Sequence, residues 1–207
     1  EKHDVRRIFS TRQSALVVAC HQRAVKKLLD FAGVEGNLEN LSFLNLRETT
    51  KDELTSTLKS FCNDEPALQT EHISESNWPS WYPVIDYTRC TACGQCADFC
   101  LFGVYEKTRS KVKVINPKSC KNNCPACARI CPHTAIIFPK YKQGGAISGS
   151  DLIDEIAEQQ RLQQDIKSIA GNDIYKVLEE RKAKRQSIIK AEAMRKAIEE
   201  RDRANEK

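Results

Sequence analysis

Eight of the chain's ten cysteines stand between Cys90 and Cys131 in two tight runs, Cys90-x2-Cys93-x2-Cys96-x3-Cys100 and Cys120-x3-Cys124-x2-Cys127-x3-Cys131-Pro132. Thiolates are soft anionic donors, and spacing this dense is the distribution of metal ligands kept reduced. Disulfides are the weaker reading, because neighbours this close rarely satisfy bridge geometry. Structural zinc is the competing metal, since Cys-x2-Cys pairs bind it readily. Zinc sites nevertheless seldom draw three cysteines from one tight loop and a fourth from the opposite half of a motif. A cubane of four irons suits the runs better: one tight loop meets three iron corners, and the fourth sulfur must come from elsewhere.

An internal duplication accompanies the ligands. Val84-Ile85-Asp86 precedes Cys90 as Val114-Ile115-Asn116 precedes Cys120, an offset of thirty positions in both. Beyond the fourth cysteine of each run, Phe102-Gly103-Val104-Tyr105 matches His133-Thr134-Ala135-Ile136. Each half therefore reads as strand, ligand loop, short helix, strand.

With eight ligands in the right order, residues 82–141 resemble the two-cluster bacterial ferredoxins, over under a third of the chain. The resemblance implies an α+β, ferredoxin-like dicluster domain with a pseudo-twofold repeat and two [4Fe-4S] clusters. It also implies a crossed ligand pattern: Cys90, Cys93, Cys96 and Cys131 hold cluster 1, while Cys100, Cys120, Cys124 and Cys127 hold cluster 2. Val84, Ile85, Val104, Val114, Ile115, Ile136 and Ile137 are expected to shield the clusters from water. Two departures stand out. The second run has an extra residue among Lys121, Asn122 and Asn123, and Leu101 stands where the family usually has proline. The two centres are therefore expected to be inequivalent.

The flanking elements must position this domain or connect it to something else. Ser14–Cys20 reads as a buried strand, and Ala24, Val25, Leu28, Leu29 and Phe31 recur at helical spacing up to a stop at Gly33. Leu41–Leu46 reads as a second strand, and Thr50 with Glu53 forms a capping box that opens a second helix bearing Leu54 and Leu58. The order implies a parallel pair with a crossover, a small βαβα lobe over residues 1–62 that must pack on something else. The turn Cys20-His21-Gln22-Arg23 lacks the glycines of a dinucleotide site, which favours docking or scaffolding over a remnant nucleotide-binding or flavin-binding half. Residues 63–81 read as a linker with Trp78 and Trp81 near its end, anchored against its own domain.

Residues 142–207 read as a long helical extension. Asn172 is a candidate cap, and Ile174, Val177 and Leu178 start an apolar stripe. Arg181, Lys182, Lys184 and Arg185 interrupt it, and Ile188, Ala191, Met194 and Ile198 resume it. A stripe this narrow suits a partner subunit or a second copy of the chain. Cys20 and Cys62 read as small buried hydrophobes, and His133 as a surface residue.

The chain's 33 basic and 28 acidic residues leave a formal net charge of +5, reduced further by cluster charge, so nucleic acid is not an expected partner. No apolar run of membrane-spanning length occurs. No nucleophile with a base, phosphate loop or framed carboxylate pair is present, so no independent enzyme activity is expected. The expected role is electron transfer as an iron–sulfur subunit of a larger oxidoreductase complex, its redox partners meeting the lobe and the C-terminal helices. A free ferredoxin-type carrier and a protein with structural or sensory clusters are the alternatives. The expected location is cytoplasmic, with an exported form whose leader precedes Glu1 left open.

Overall fold

The computed structural model describes residues 5–6, 9, 14–34, 40–62, 81–171, 173–184 and 186–187. Trp78, Asn172, Arg185, Ile188, Ala191, Met194, Ile198 and all of the expected linker but Trp81 lie outside those residues. The chain divides into two compact units, Glu1–Asp86 with Ile136–Asp154 and Tyr87–Ala135 with Glu155–Lys207. The outer strand pair of the 82–141 segment thus falls in the first unit.

In the first unit, β1 (Ala15–Ala19) pairs in parallel with β2 (Leu41–Asn45), joined through α1 (Gln22–Ala32). Gly33 ends α1 in the left-handed conformation at φ 75°. Its N–H bonds Asp30 O, and the N–H of Val34 bonds Leu29 O, both at 3.0 Å, the paired closure of a Schellman motif. The expected box opens α2 (Lys51–Cys62): Thr50 N–H donates to Glu53 Oε2 at 2.9 Å, and Glu53 N–H donates back to Thr50 Oγ1 at 3.3 Å.

What the lobe packs on is β3 (Val84–Ile85), which pairs antiparallel with β6 (Ile136–Ile137). Ala24 of α1 sits in one core with Val84 and Ile137, joined by Leu28, Phe31 and Tyr82. Val84 and Ile137 are fully buried and contribute roughly 1.5–3 kcal/mol each. Trp81 stacks on Phe138 with ring centroids 5.0 Å apart, anchored within its own unit.

Polar groups fasten the same seam. Arg23 Nε donates to Asp86 Oδ2 at 2.9 Å, both residues being buried, and Lys27 Nζ lies 3.4 Å from the other carboxylate oxygen. The Arg23 N–H at the start of α1 donates to Asp151 Oδ1 at 2.8 Å, so this acid caps the helix. Asp151 is brought there past α5 (Gly145–Ser148), whose following residue, Gly149, has φ 94°; a Cβ at Gly149 would lie 3.0 Å from Ala24 Cα.

In the second unit, α3 (Gln95–Phe99) leads to the hairpin β4 (Tyr105–Lys107) and β5 (Val112–Val114), and α4 (Ala126–Arg129) follows. Helix α6 (Glu155–Ala170) is tied back to this body: Arg129 pairs with Asp165, Arg161 Nη1 lies 2.7 Å from Asp165, and Arg89 reaches Glu155 at 2.7 Å. Residues 174–184 are helical. The first part of the tail stripe packs within this unit and not on another subunit, because Leu178 is buried with Phe99 and Ile130, flanked by Ile174 and Val177; the rest of the stripe lies outside the described residues.

Candidate iron–sulfur centre

Both ligand loops are bent by residues outside the usual backbone regions. In the first, Ala92 has φ 57° immediately before Cys93; in the second, Asn123 has φ 58° immediately before Cys124. Asparagine tolerates this conformation, whereas alanine is strained there by about 1–2 kcal/mol. Farther on, Gly103 (φ 64°) and Thr134 (φ 50°) turn the chain after Cys100 and Cys131 at matching distances. Ahead of the loops the two halves are offset by thirty positions, and from Ala92 and Asn123 onward by thirty-one. The extra residue of the second loop is thus absorbed ahead of Cys124.

The loops bring the thiols together across the two runs. Burial pushes the Cys96 thiol up to about 12, and Cys131, Cys93 and Cys90 press on it in that order. Burial likewise raises Cys131, against N–H donation from Ala135 and His133, with Cys93 and Cys90 adding to the rise. Cys120 is pushed up to about 12 by burial and then by Cys100 and Cys124. Cys127, raised by burial, feels Cys100, Cys96 and Cys120. Thiols of both runs thus lie close enough to raise one another, Cys131 acting on Cys96 and Cys100 on Cys120 and Cys127. None of the ten cysteines is bridged.

This donor set suits an iron–sulfur cluster. Thiols that raise one another's pKa hold protons until a cationic core displaces them, so ligation is coupled to proton release. Cys100, Cys120, Cys124 and Cys127 line a largely apolar cavity with Phe99, Phe102 and Val104 in its wall. Four thiols around one apolar hollow are the kind of donor set and surround that an iron–sulfur core takes.

Three surrounding groups were not legible in the sequence. Tyr105 Oη donates to Cys127 Sγ at 3.0 Å, and burial followed by the Cys127 charge raises its own pKa well above the usual phenol value. Arg181 joins the lining of the same cavity and lies over the Phe99 ring, its guanidinium carbon 3.9 Å from the centroid. At the first loop, Lys107 Nζ donates to Cys93 O at 2.8 Å, its stem lying across Gly94 (φ 86°), where a Cβ would collide with it. A hydrophobic stripe followed by a basic residue was the faint sign of Arg181; nothing local marks Lys107 or the Tyr105 hydroxyl.

Other expected positions divide. Val84, Ile85, Val104, Ile136 and Ile137 are buried and Val114 half-buried, but Ile115 is 48% exposed, because it lies past the end of β5. Cys20 and Cys62 are exposed, correcting their reading as buried hydrophobes. His21 is buried, with no hydrogen-bond partner for either ring nitrogen among the described residues, and His133 is exposed.

The chain carries a ferredoxin-type segment within a longer protein: residues 83–103 match the family described as a 4Fe-4S binding domain. It is similar to an uncharacterized ferredoxin of Methanocaldococcus jannaschii, 52% identical over 64 residues, a stretch covering 30% of this chain and 44% of that relative. No solved structure matches the chain. No helix among the described residues is long and apolar enough to cross a membrane.

Proposed function

We propose that the chain transfers single electrons through two [4Fe-4S] clusters, one held by Cys90, Cys93, Cys96 and Cys131 and the other by Cys100, Cys120, Cys124 and Cys127. The observation that carries this reading is the pair of four-cysteine runs on loops with matching left-handed turns, the first within the stretch that matches a 4Fe-4S binding domain; the bearing of Cys131 on Cys96 and of Cys100 on Cys120 and Cys127 is consistent with the crossed pairing. The paired turns at Ala92 and Asn123 and at Gly103 and Thr134 support a pseudo-twofold domain over residues 82–141, with the lobe, linker and helical extension around it. When bound, the clusters supply reversible one-electron chemistry.

The chain's own residues set the terms of that chemistry. Backbone N–H groups and the Tyr105 hydroxyl donate to the ligand sulfurs, and the apolar walls keep water away from them. A place as a subunit of a larger oxidoreductase complex is supported by α2, which buries none of its residues and leaves Leu58 and Phe61 exposed. We place the protein in the cytoplasm, where ten unbridged thiols persist.

The test is reduction of anaerobically purified protein by dithionite. Reversible bleaching of the broad visible absorption, with two interacting centres in the EPR spectrum, is expected. Clusters that resist reduction would assign the metal a structural role instead.

A further inference from the structure

Charge is distributed unevenly along this chain. The segment Tyr87–Ala135 has eight Lys and Arg against two Asp and Glu, more than the whole chain's excess of +5, so the remainder is slightly acidic. Six of the eight, Lys107, Arg109, Lys111, Lys113, Lys118 and Lys121, fall on the β4–β5 hairpin and the loop that follows, and all six are exposed. Glu106, opposite Lys113 in the strand ladder, is the lone acid between residues 105 and 121. None of the six forms an ion pair with a carboxylate among the described residues.

Two of these cations adjoin the ligand loops. Lys107 bonds the carbonyl of Cys93, an exposed thiol position, and Lys121 follows Cys120 and lines the apolar cavity. Exposed apolar groups accompany them: Phe102 and Ile115 stand on neighbouring segments joined by the Ile115 N–H to Val104 O bond of 2.9 Å. Apolar groups with a charged surround are the composition of a protein interface. Single-strand nucleic-acid sites set several aromatics in a row along a basic groove for successive bases to stack on, whereas Phe102 stands here with an aliphatic Ile115.

The geometry points to a docking surface on this hairpin for an acidic electron-carrier protein, which would approach the first ligand loop along the field of the six cations. The inference rests on the electron-transfer reading and deepens it, because it moves partner contact from the lobe and tail to the face nearest the donors. Steering of this kind raises association rates by about 10–10³-fold at low salt and loses that gain as salt screens it. The reaction is a one-electron exchange: the dithionite-reduced protein gives up one electron, and the bound flavin of the partner takes it up.

The test uses the full-length holoprotein with an acidic flavodoxin as probe, measuring both the bimolecular oxidation rate and surface-plasmon binding at low and high salt. The triple variant Arg109→Glu, Lys113→Gln, Lys118→Glu should lower rate and affinity roughly tenfold or more at low salt, with dithionite bleaching unchanged. The same variant should react faster with basic cytochrome c, a reversal that misfolding does not produce. Lys167→Glu, on the exposed side of α6 in the same unit and not among the six cations, should change both rates far less than the triple variant does. Equal rates and affinities for the triple variant and the parent would overturn the proposal. So would tight, patch-dependent binding of a fluorescent oligonucleotide at physiological salt in preference to the flavodoxin. A protein with no reducible absorption would sink the electron-transfer reading alone; the binding measurement would still decide the surface.

Discussion

The two thiol sets proposed to hold the clusters are built on similar loops and placed in different surroundings. The set of Cys90, Cys93, Cys96 and Cys131 has an exposed edge at Cys93, where Lys107 lies across Gly94 and bonds the loop carbonyl. The set of Cys100, Cys120, Cys124 and Cys127 lines an apolar cavity, with a buried phenol bonded to Cys127 and a guanidinium supplied by the C-terminal extension. Loop spacing chooses the metal, and the surroundings choose its potential. Two centres of one cluster type can then differ in potential and access, as a directed electron path requires.

The largest expected effect breaks the crossing itself. Cys131→Ser should remove the centre shared with Cys90, Cys93 and Cys96, and Cys100→Ser the centre shared with Cys120, Cys124 and Cys127. EPR and iron analysis of each variant check this; loss of the centre nearest in sequence would undo the pairing. Stability should fall in both variants, because ligation is part of folding.

A smaller effect sharpens the contrast between the sites. Tyr105→Phe removes a donor from one ligand sulfur and should lower the potential of the second centre alone, by about 1 kcal/mol, a fraction of what a hydrogen bond to a charged group contributes. Arg181→Gln should act in the same direction and more weakly, since water screens part of its charge. A redox titration followed by EPR separates the two centres, and equal shifts in both would erase the distinction between the sites.

At the first loop, Gly94→Ala forces an alanine into the left-handed region and pushes Lys107 aside. It should cost about 1–2 kcal/mol, seen in thermal unfolding of the holoprotein, whereas Lys107→Gln should lower the first potential with little loss of stability.

The smallest effect lies far from both sites. Hydrogen bonds from Thr50, its backbone N–H foremost, hold Glu53 below its ordinary value of 4.5. A depressed carboxylate stabilises above its unfolded value, and that contribution is lost as pH falls through the folded value. Acidification below about 4.5 should therefore fray the start of α2, visible as faster amide exchange there, and Glu53→Gln should remove the pH dependence.

What the sequence disclosed is what local chemistry determines. Gly33 and the Thr50–Glu53 box act within one helical turn, so their roles were legible, as were the parallel strand pair and the eight thiols whose type and spacing specify a metal. Long-range placement was not legible. Arg23 meets Asp86 across 63 positions, and the apolar stripe at Ile174, Val177 and Leu178 could not announce that it would be buried in its own chain. Ile115 misled because the duplication equates it with Ile85. Ile85 is paired with Ile136 inside a ladder, however, whereas Ile115 follows the last rung of its own. Cys20 and Cys62 misled because burial statistics describe an average cysteine, and both stand at the exposed end of an element.

The central claim is two cubanes sharing ligands crosswise, and the most direct measurement is iron and acid-labile sulfide per chain in anaerobically reconstituted protein. The account predicts about eight of each. Four of each, or zinc in their place, would contradict it.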